Sequence, residues 1–243
     1  MNYTFIILGI VLVIVLWVLY RTLLTPNSVV SSQIYLQKSP PAVLLNTLSN
    51  SNSLDFYYSV WIYVNNLNSP ASSSNSSTIS QNFPNQLKSK TLANNIFYVV
   101  DKDNVPFLSL DVNNNSSLTT NILLKGQTDL KEYVVTPNFS LQRWEHVIIS
   151  VNQSYIDLYL DGKLIKSANL GVNAQVPPTS GSINFGNGDI YIAGLQRIPN
   201  SMDPQTAWNM YLTGSGTTKS PLNYGLSMTL SKNNSPQSSI TLF

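Results

Sequence analysis

Apolar side chains occupy every second position over Glu145–Asn152 and again over Tyr155–Leu160. This period places alternate side chains on opposite faces of a β-strand, so that one face can be buried. Gln153 and Ser154 separate the two segments, and the Asp161–Gly162 pair after the second is a strong signal for a tight hairpin turn. The pattern predicts consecutive antiparallel strands with one buried face.

The same alternation, interrupted by turn residues, predicts about ten short strands and almost no helix. One short helix is predicted at Pro204–Leu212, because Asp203 suits the N-cap position and proline suits the first turn. Many short strands indicate an all-β fold, an antiparallel β-sandwich of the jelly-roll type. The predicted strands are Gln33–Gln37, Leu54–Val64, Ile96–Val100, Pro106–Leu110, Leu118–Leu124, Tyr133–Thr136, Glu145–Asn152, Tyr155–Leu160, Ser182–Phe185 and Asp189–Ala193.

The first 21 residues are predicted to form a single transmembrane helix. No charged side chain precedes Arg21, and a helix of this length spans roughly 30 Å, the thickness of a bilayer core. A cleaved signal peptide fits less well, because no basic segment precedes the apolar run and no small-residue cleavage site follows it. The residues expected to form the anchor and its interfacial ends are Phe5, Ile10, Leu16, Trp17, Tyr20 and Arg21.

The rest of the chain divides into a linker and one domain. Residues 22–52 are predicted as a stalk that contains a first edge strand, and residues 53–243 as the sandwich. A Ser/Asn-rich insertion at 66–94 interrupts the sandwich, because its composition cannot bury a core. Arg21 and Lys38 follow the apolar run, so the positive-inside rule places the sandwich on the cytosolic side of the membrane.

Composition excludes several kinds of function. The net charge is +2, and lysine and arginine form no basic cluster, so no nucleic-acid partner is expected. The chain contains no cysteine, which excludes disulfides, thiolate metal sites and cysteine nucleophiles.

Three short stretches carry a resemblance to a known family. WEHV (Trp144–Val147), followed by YLDG (Tyr159–Gly162), resembles the laminin-G-like jelly roll of the concanavalin A-like lectin/glucanase superfamily, and SVWI (Ser59–Ile62) resembles its early strand. The resemblance implies structural roles for the motif residues Trp61, Trp144, His146, Asp161, Gly162 and Trp208.

Three further stretches are similar to a membrane-anchored subgroup of this family, encoded by large DNA viruses of eukaryotes. They are Pro137–Val151, Asp189–Ile192 and Asn200–Tyr211. The similarity implies a minor capsid or virion membrane protein that lies in the internal membrane beneath the capsid, with the sandwich facing the capsid shell.

Catalytic and metal-binding groups are sparse. His146 is the only histidine, and no acidic residue stands two positions from Glu132 or Glu145, so neither a catalytic triad nor a glucanase carboxylate pair is predicted. Asp101 and Asp103 are weak candidates for calcium, since calcium requires six to eight oxygen ligands. We therefore expect no enzymatic activity and no cofactor.

The sequence favours a non-enzymatic, membrane-anchored structural protein that links a virion membrane to capsid proteins. The alternative is a membrane-displayed lectin-like domain that binds carbohydrate. In that case some aromatic rings must be exposed to stack on sugars, although at least half of those on alternating strands should be buried. The candidate rings are Tyr57, Trp61, Tyr63, Tyr155 and Tyr159.

Overall fold

The computed structural model describes residues 9, 11–17, 28–30, 33–67, 95–215, 227–232 and 235–241. Within them the chain forms two antiparallel sheets that pack face to face, which confirms the predicted sandwich. The larger sheet contains β1 (Ser28–Val30), β2 (Ile34–Tyr35), β4 (Asp55–Asn66), β9 (Trp144–Asn152), β10 (Tyr155–Leu160), β11 (Lys163–Asn169) and β13 (Asp189–Ile198).

In the larger sheet the strand order is β1-β13-β4-β9-β10-β11, and β2 also pairs with β13. Strand β4 is central because both of its faces are apolar. On its inner face Phe56, Tyr58 and Val60 lie in the core, and on its outer face Tyr57 and Trp61 are also buried.

The smaller sheet has six strands in the order β3-β12-β5-β6-β7-β8. The described residues also include a separate two-stranded sheet, β14-β15, which the sequence analysis does not predict. The remaining strands are β3 (Val43–Leu44), β5 (Asn95–Val100), β6 (Pro106–Val112), β7 (Leu118–Leu123), β8 (Leu130–Thr136), β12 (Ser182–Phe185), β14 (Ser227–Lys232) and β15 (Ser235–Thr241).

The main core lies between the two sheets and is made of the inward residues of each alternating strand. On β9 these are Val147, Ile149 and Val151, and on β10 they include Ile156 and Leu158. The predicted period is therefore the one that fills the core. Burial of aliphatic side chains of this size contributes roughly 1.5–3 kcal/mol each.

The predicted short helix is present at Pro204–Thr213, one residue longer than expected. The Asp203 side chain accepts a hydrogen bond from the Thr206 N–H at 3.0 Å, and the proline occupies the first helical turn. These are the two features from which the sequence predicts a helix at this position. The helix packs on the outer face of the larger sheet.

Part of the predicted stalk belongs to the sandwich. Strands β1, β2 and β3 come from residues 22–52, and Leu36 and Leu45 from the same segment are fully buried in the core. The predicted edge strand Gln33–Gln37 corresponds to β2, which is two residues long. A 3-10 turn at Leu36–Lys38 follows it and carries Leu36 inward.

Most of the predicted anchor lies outside the described residues. Gly9 and residues 11–17 are helical, and the side chains at 11–17, including Leu16 and Trp17, are exposed. In the part of the chain that the structure describes, no helix is long and apolar enough to cross a membrane. Phe5, Ile10, Tyr20 and Arg21, like residues 68–94 of the predicted insertion, lie outside that part.

Candidate functional site

His146 and Trp61 lie on the outer face of the larger sheet, on adjacent strands β9 and β4. The two rings stack, with centroids 4.8 Å apart and planes inclined by 22°. His146 Nε2 lies 2.8 Å from the Ser59 hydroxyl, and both residues are buried. Burial lowers the pKa of His146 to about 4. The imidazole is thus neutral near pH 7.

The Asp161–Gly162 turn connects this stack to the helix. The Asp161 carboxylate accepts a hydrogen bond from the His146 backbone N–H at 2.9 Å and pairs with Arg143 at 2.9 Å. A methyl group built on Gly162 would lie 2.9 Å from Cβ of Tyr211. Only glycine therefore lets the helix pack this closely on the turn.

The helix buries three of the five candidate sugar-stacking rings. Tyr57, Trp61 and Tyr159 are at most 8% exposed, and Tyr57 and Tyr159 share a second apolar cluster with Ala207 of the helix. Burial is the largest cause that raises the pKa of each of these two tyrosines to about 12. Tyr63, by contrast, is half-buried. The helix therefore leaves part of its ring exposed.

Tyr63 belongs to a row of four half-buried aromatic rings that crosses four neighbouring strands. The rings of Tyr35 and Tyr191 stack at 4.5 Å, Tyr191 meets Tyr63 edge-on at 6.1 Å, and Tyr63 packs at 5.6 Å on Trp144. Each of the four residues is the direct cross-strand partner of the next, across β2, β13, β4 and β9. We call Tyr35, Tyr191, Tyr63 and Trp144 the aromatic row.

A hydrogen-bond network borders one end of the aromatic row. The Tyr35 hydroxyl lies 3.0 Å from Oδ1 of Asp189, and the Asn65 amide donates to Oδ2 of the same carboxylate at 2.8 Å. Gln37 Oε1 is a second acceptor within 2.5 Å of the Tyr35 hydroxyl. Desolvation, followed by the hydrogen bond to Asp189, raises the pKa of Tyr35. The network fixes the carboxylate beside the rings.

A cavity of about 420 Å³ opens at the same end of the aromatic row. Its volume lies in the range of small-ligand pockets. The cavity wall combines rings, an aliphatic side chain and polar groups, and it includes one cation, Lys38. Its lining residues are Gln33, Ile34, Tyr35, Lys38, Pro40 and Tyr191.

The weak calcium candidates lie in the turn between β5 and β6, away from the aromatic row. Oδ1 of Asp101 accepts hydrogen bonds from the backbone N–H groups of Asp103 and Val105, each at 2.8 Å. This is the role of a turn-forming aspartate. Among the described residues, no group of three or more histidine, cysteine, aspartate or glutamate side chains could hold a metal ion.

Most of the aromatic row is not predictable from the sequence. The family resemblance implies only a structural role for Trp144, and no sequence pattern marks Tyr35, Tyr191 or Asp189 as a site residue. Tyr35 and Tyr191 become neighbours only through the pairing of β2 with β13. Alternation identifies the outer face of each strand, but it does not show which strands are adjacent.

Several toxin binding domains of known structure are similar to part of the chain. The binding domain of Paraclostridial Mosquitocidal Protein 1 is 16% identical, with a TM-score of 0.47, over 66% of this chain and 38% of that structure. The receptor binding domain of botulinum neurotoxin C/D mosaic serotype is 12% identical, with a TM-score of 0.46, over 68% of this chain and 37% of that structure.

The ligand binding domain of botulinum neurotoxin serotype D, solved in complex with N-acetylneuraminic acid, is 13% identical, with a TM-score of 0.46. That match covers 69% of this chain and 39% of the structure. The chain thus spans less than two-fifths of the length of these toxin domains.

A search of curated proteins found no match. A family model described as the Concanavalin A-like lectin/glucanases superfamily matches residues 38–216. The match begins just after β2 and ends beyond the helix, so it spans nearly all of both sheets. The motif stretches that carry the resemblance in the sequence, Ser59–Ile62, Trp144–Val147 and Tyr159–Gly162, all lie inside it. The chain therefore belongs to the concanavalin A-like lectin/glucanase superfamily.

Proposed function

We propose that this protein is a lectin-like domain that binds carbohydrate on the outer face of its larger sheet, at the aromatic row. The observation that carries the proposal is the continuity of the row with the Asp189 network. Four half-buried rings in one register end at a carboxylate that two side chains hold in place. Membership of a superfamily that contains lectins supports the same function.

The chemistry of a sugar fits this surface. A pyranose ring presents C–H groups on its faces and hydroxyl groups around its rim, so it needs aromatic surface and hydrogen-bond partners side by side. Oδ2 of Asp189 accepts from the Asn65 amide, and Oδ1 shares the single Tyr35 hydroxyl proton with Oε1 of Gln37. Both carboxylate oxygens have a further lone pair, which can accept a hydroxyl proton of the ligand. Because Tyr35 and Asn65 already orient the carboxylate, little ordering is required on binding.

The carboxylates near the family motif favour binding over hydrolysis. Glu145 and Asp161 both pair with the single guanidinium of Arg143, at 3.0 Å and 2.9 Å. A glycosidase of the usual kind places one free acid and one free base across an open cleft. An ion-paired arrangement beside a tight turn suits a structural role instead.

A glycan array tests the proposal. The full-length chain, kept in a detergent without a sugar headgroup, is applied to an array of neutral and acidic oligosaccharides. We expect binding to a subset of glycans. We also expect Tyr63→Ala and Asp189→Asn each to weaken that binding at least about tenfold, which corresponds to about 1.4 kcal/mol.

Trp208→Ala is the matched control, because Trp208 is a part-exposed aromatic residue on the helix and does not belong to the aromatic row. It should bind the same glycans as the wild-type chain. A flat array for the wild-type chain would overturn the proposal. So would equal losses of binding in Tyr63→Ala and Trp208→Ala.

The membrane and virion setting is a separate part of the proposal and is supported by the sequence alone. The apolar run before Arg21 supports an anchor, and the similarity to viral proteins supports a place beneath a capsid. Fractionation of native membranes or purified particles tests this part. Recovery of the protein only in soluble fractions would exclude it without affecting carbohydrate binding.

A further inference from the structure

A second cavity lies on the outer face of the larger sheet, at the turn between β9 and β10. Its volume is about 380 Å³. Strand β10 buries Ile156 and Leu158 in the core, so Tyr155 and Asp157 project to the opposite face. We call it the turn cavity, and its lining residues are Asn152, Gln153, Ser154, Tyr155, Asp157 and Ser167.

Three hydrogen bonds with other parts of the chain fix the turn that forms this cavity. The Gln153 N–H donates to Oδ1 of Asp55 at 3.1 Å, and its carbonyl accepts from the Ala174 N–H at 3.4 Å. The Ser154 carbonyl accepts from the Leu170 N–H at 2.6 Å. Gln153 itself has a φ of 50°, a conformation that is unusual for a residue other than glycine. A positive φ at the first residue of a two-residue hairpin loop matches the twist of the flanking strands, and the three hydrogen bonds keep this turn in one conformation.

The lining selects a neutral, hydroxyl-rich ligand. Tyr155 is 51% exposed, so its ring can stack on the apolar face of a sugar. Asn152, Ser167 and the carboxylate of Asp157 supply donors and acceptors around that ring. No lysine or arginine lines the cavity among the described residues, and the carboxylate repels anions, so an acidic sugar or a phosphate fits poorly.

We propose that the turn cavity is a second saccharide site, specific for neutral sugar residues and independent of the aromatic row. This inference extends the proposed function. Across the sheet, β10 of the turn cavity lies four strands from β2 of the aromatic row. Along β9, Asn152 of the turn cavity lies eight residues from Trp144 of the aromatic row. At usual strand dimensions the two sites are roughly 30 Å apart. A short saccharide cannot occupy both, whereas a polymeric or clustered glycan gains avidity from the pair.

Saturation-transfer NMR with methyl α-mannoside, methyl β-galactoside and methyl β-glucoside tests the inference on the full-length chain, again without a sugar-headed detergent. The variants are Tyr155→Ala at the turn cavity, Tyr63→Ala at the aromatic row, and the double variant. We expect each single variant to keep part of the signal of at least one glycoside and the double variant to lose it. Tyr155→Phe, which keeps the ring, should bind within about twofold of wild type, because the hydroxyl adds little beyond stacking.

The outcomes separate the two sites. If Tyr63→Ala alone abolishes every signal, the turn cavity does not bind sugar and the aromatic row remains the site. If Tyr155→Ala alone abolishes every signal, the turn cavity is the site and the proposal for the aromatic row fails. No transfer to any glycoside in the wild-type chain overturns both. Normal unfolding curves for all variants are the control for folding.

Discussion

The imidazole of His146 stacks on the indole of Trp61, with 4.8 Å between the ring centroids, while its Nε2 atom lies 2.8 Å from the Ser59 hydroxyl. Tyr211 of the helix covers the other side of the indole, at 5.7 Å. The histidine is therefore buried against the indole, with one hydroxyl as its hydrogen-bond partner. A group in such surroundings is stable as the neutral imidazole and costs free energy when it is protonated.

His146 should make the protein sensitive to acid. Its pKa falls from 6.5 to about 4 on folding, so between these pH values the unfolded chain binds the proton more tightly. Neutral His146 therefore contributes its full share of the free energy of unfolding above pH 6.5. This contribution is lost as the pH falls through 4. The loss amounts to roughly 3 kcal/mol. Urea unfolding at a series of pH values measures it.

His146→Gln is the matched variant, because its amide can replace Nε2 as the partner of Ser59 and does not titrate. Its stability should depend less steeply on pH in this range than that of the wild-type chain. Parallel pH profiles for the two proteins would show that His146 is not the titrating group.

Gly162→Ala should destabilise the protein by about 2–4 kcal/mol. Its φ is +74°, and the new methyl would meet Tyr211 and Trp208 at 2.9–3.0 Å. Gly126→Ala separates the two causes, because Gly126 also has a positive φ, +79°, but has no atom within 4 Å of a built Cβ. That control should lose only about 1 kcal/mol. Equal losses in denaturant unfolding would contradict the close packing of the helix.

Arg143→Ala should destabilise the protein by about 1–2 kcal/mol near pH 7, because it leaves the buried Glu145 carboxylate without its cation. Glu145 is 3% exposed and Arg143 is 57% exposed. Burial raises the pKa of Glu145, and Arg143 opposes that shift. A raised pKa means that stability is lost as the pH rises through it. The cost of the variant should thus shrink towards about pH 4.

A double-mutant cycle with Glu145→Gln checks this prediction. In that background there is no buried charge to compensate, so Arg143→Ala should cost less than it does in the wild-type chain. The same cost in both backgrounds would show that the arginine acts through Asp161 or by packing alone.

Asp101→Ala should lower stability by about 1 kcal/mol, because two backbone N–H groups lose their acceptor. We expect millimolar calcium to leave the melting temperature of the wild-type chain unchanged, since this carboxylate already serves the turn. A rise in melting temperature that Asp101→Ala abolishes would instead establish a calcium site at Asp101 and Asp103.

The strands that the sequence predicts well are those whose alternation is long enough to be counted. Strand β10 has the predicted bounds, Tyr155–Leu160, and β9 differs by one residue. Strands β1 and β3 contain three and two residues, which is too short for a period to be detected. They form because β1 pairs with β13 and β3 pairs with β12, so their existence depends on the rest of the fold.

The aromatic surface was harder to predict for a different reason. Four tyrosines occupy outward positions on their strands, so the alternating pattern predicts the same exposure for each of them. They are Tyr57, Tyr63, Tyr155 and Tyr159. The helix then covers Tyr57 and Tyr159 and leaves Tyr63 and Tyr155 accessible. Which outward residues become buried depends on where a later element packs, and no local pattern encodes that position.

The pairing of β13 with both β4 and β2 also sets the order in which the protein can be completed during synthesis. Strands β4, β9, β10 and β11 can assemble once residue 169 has left the ribosome, but Tyr63 then still lacks its neighbour Tyr191. Contacts that join such distant parts of a chain form slowly, because the intervening loop must close first. The aromatic row is therefore among the last surfaces to form, and a nascent chain arrested before β13 should have a partial sheet and no complete row.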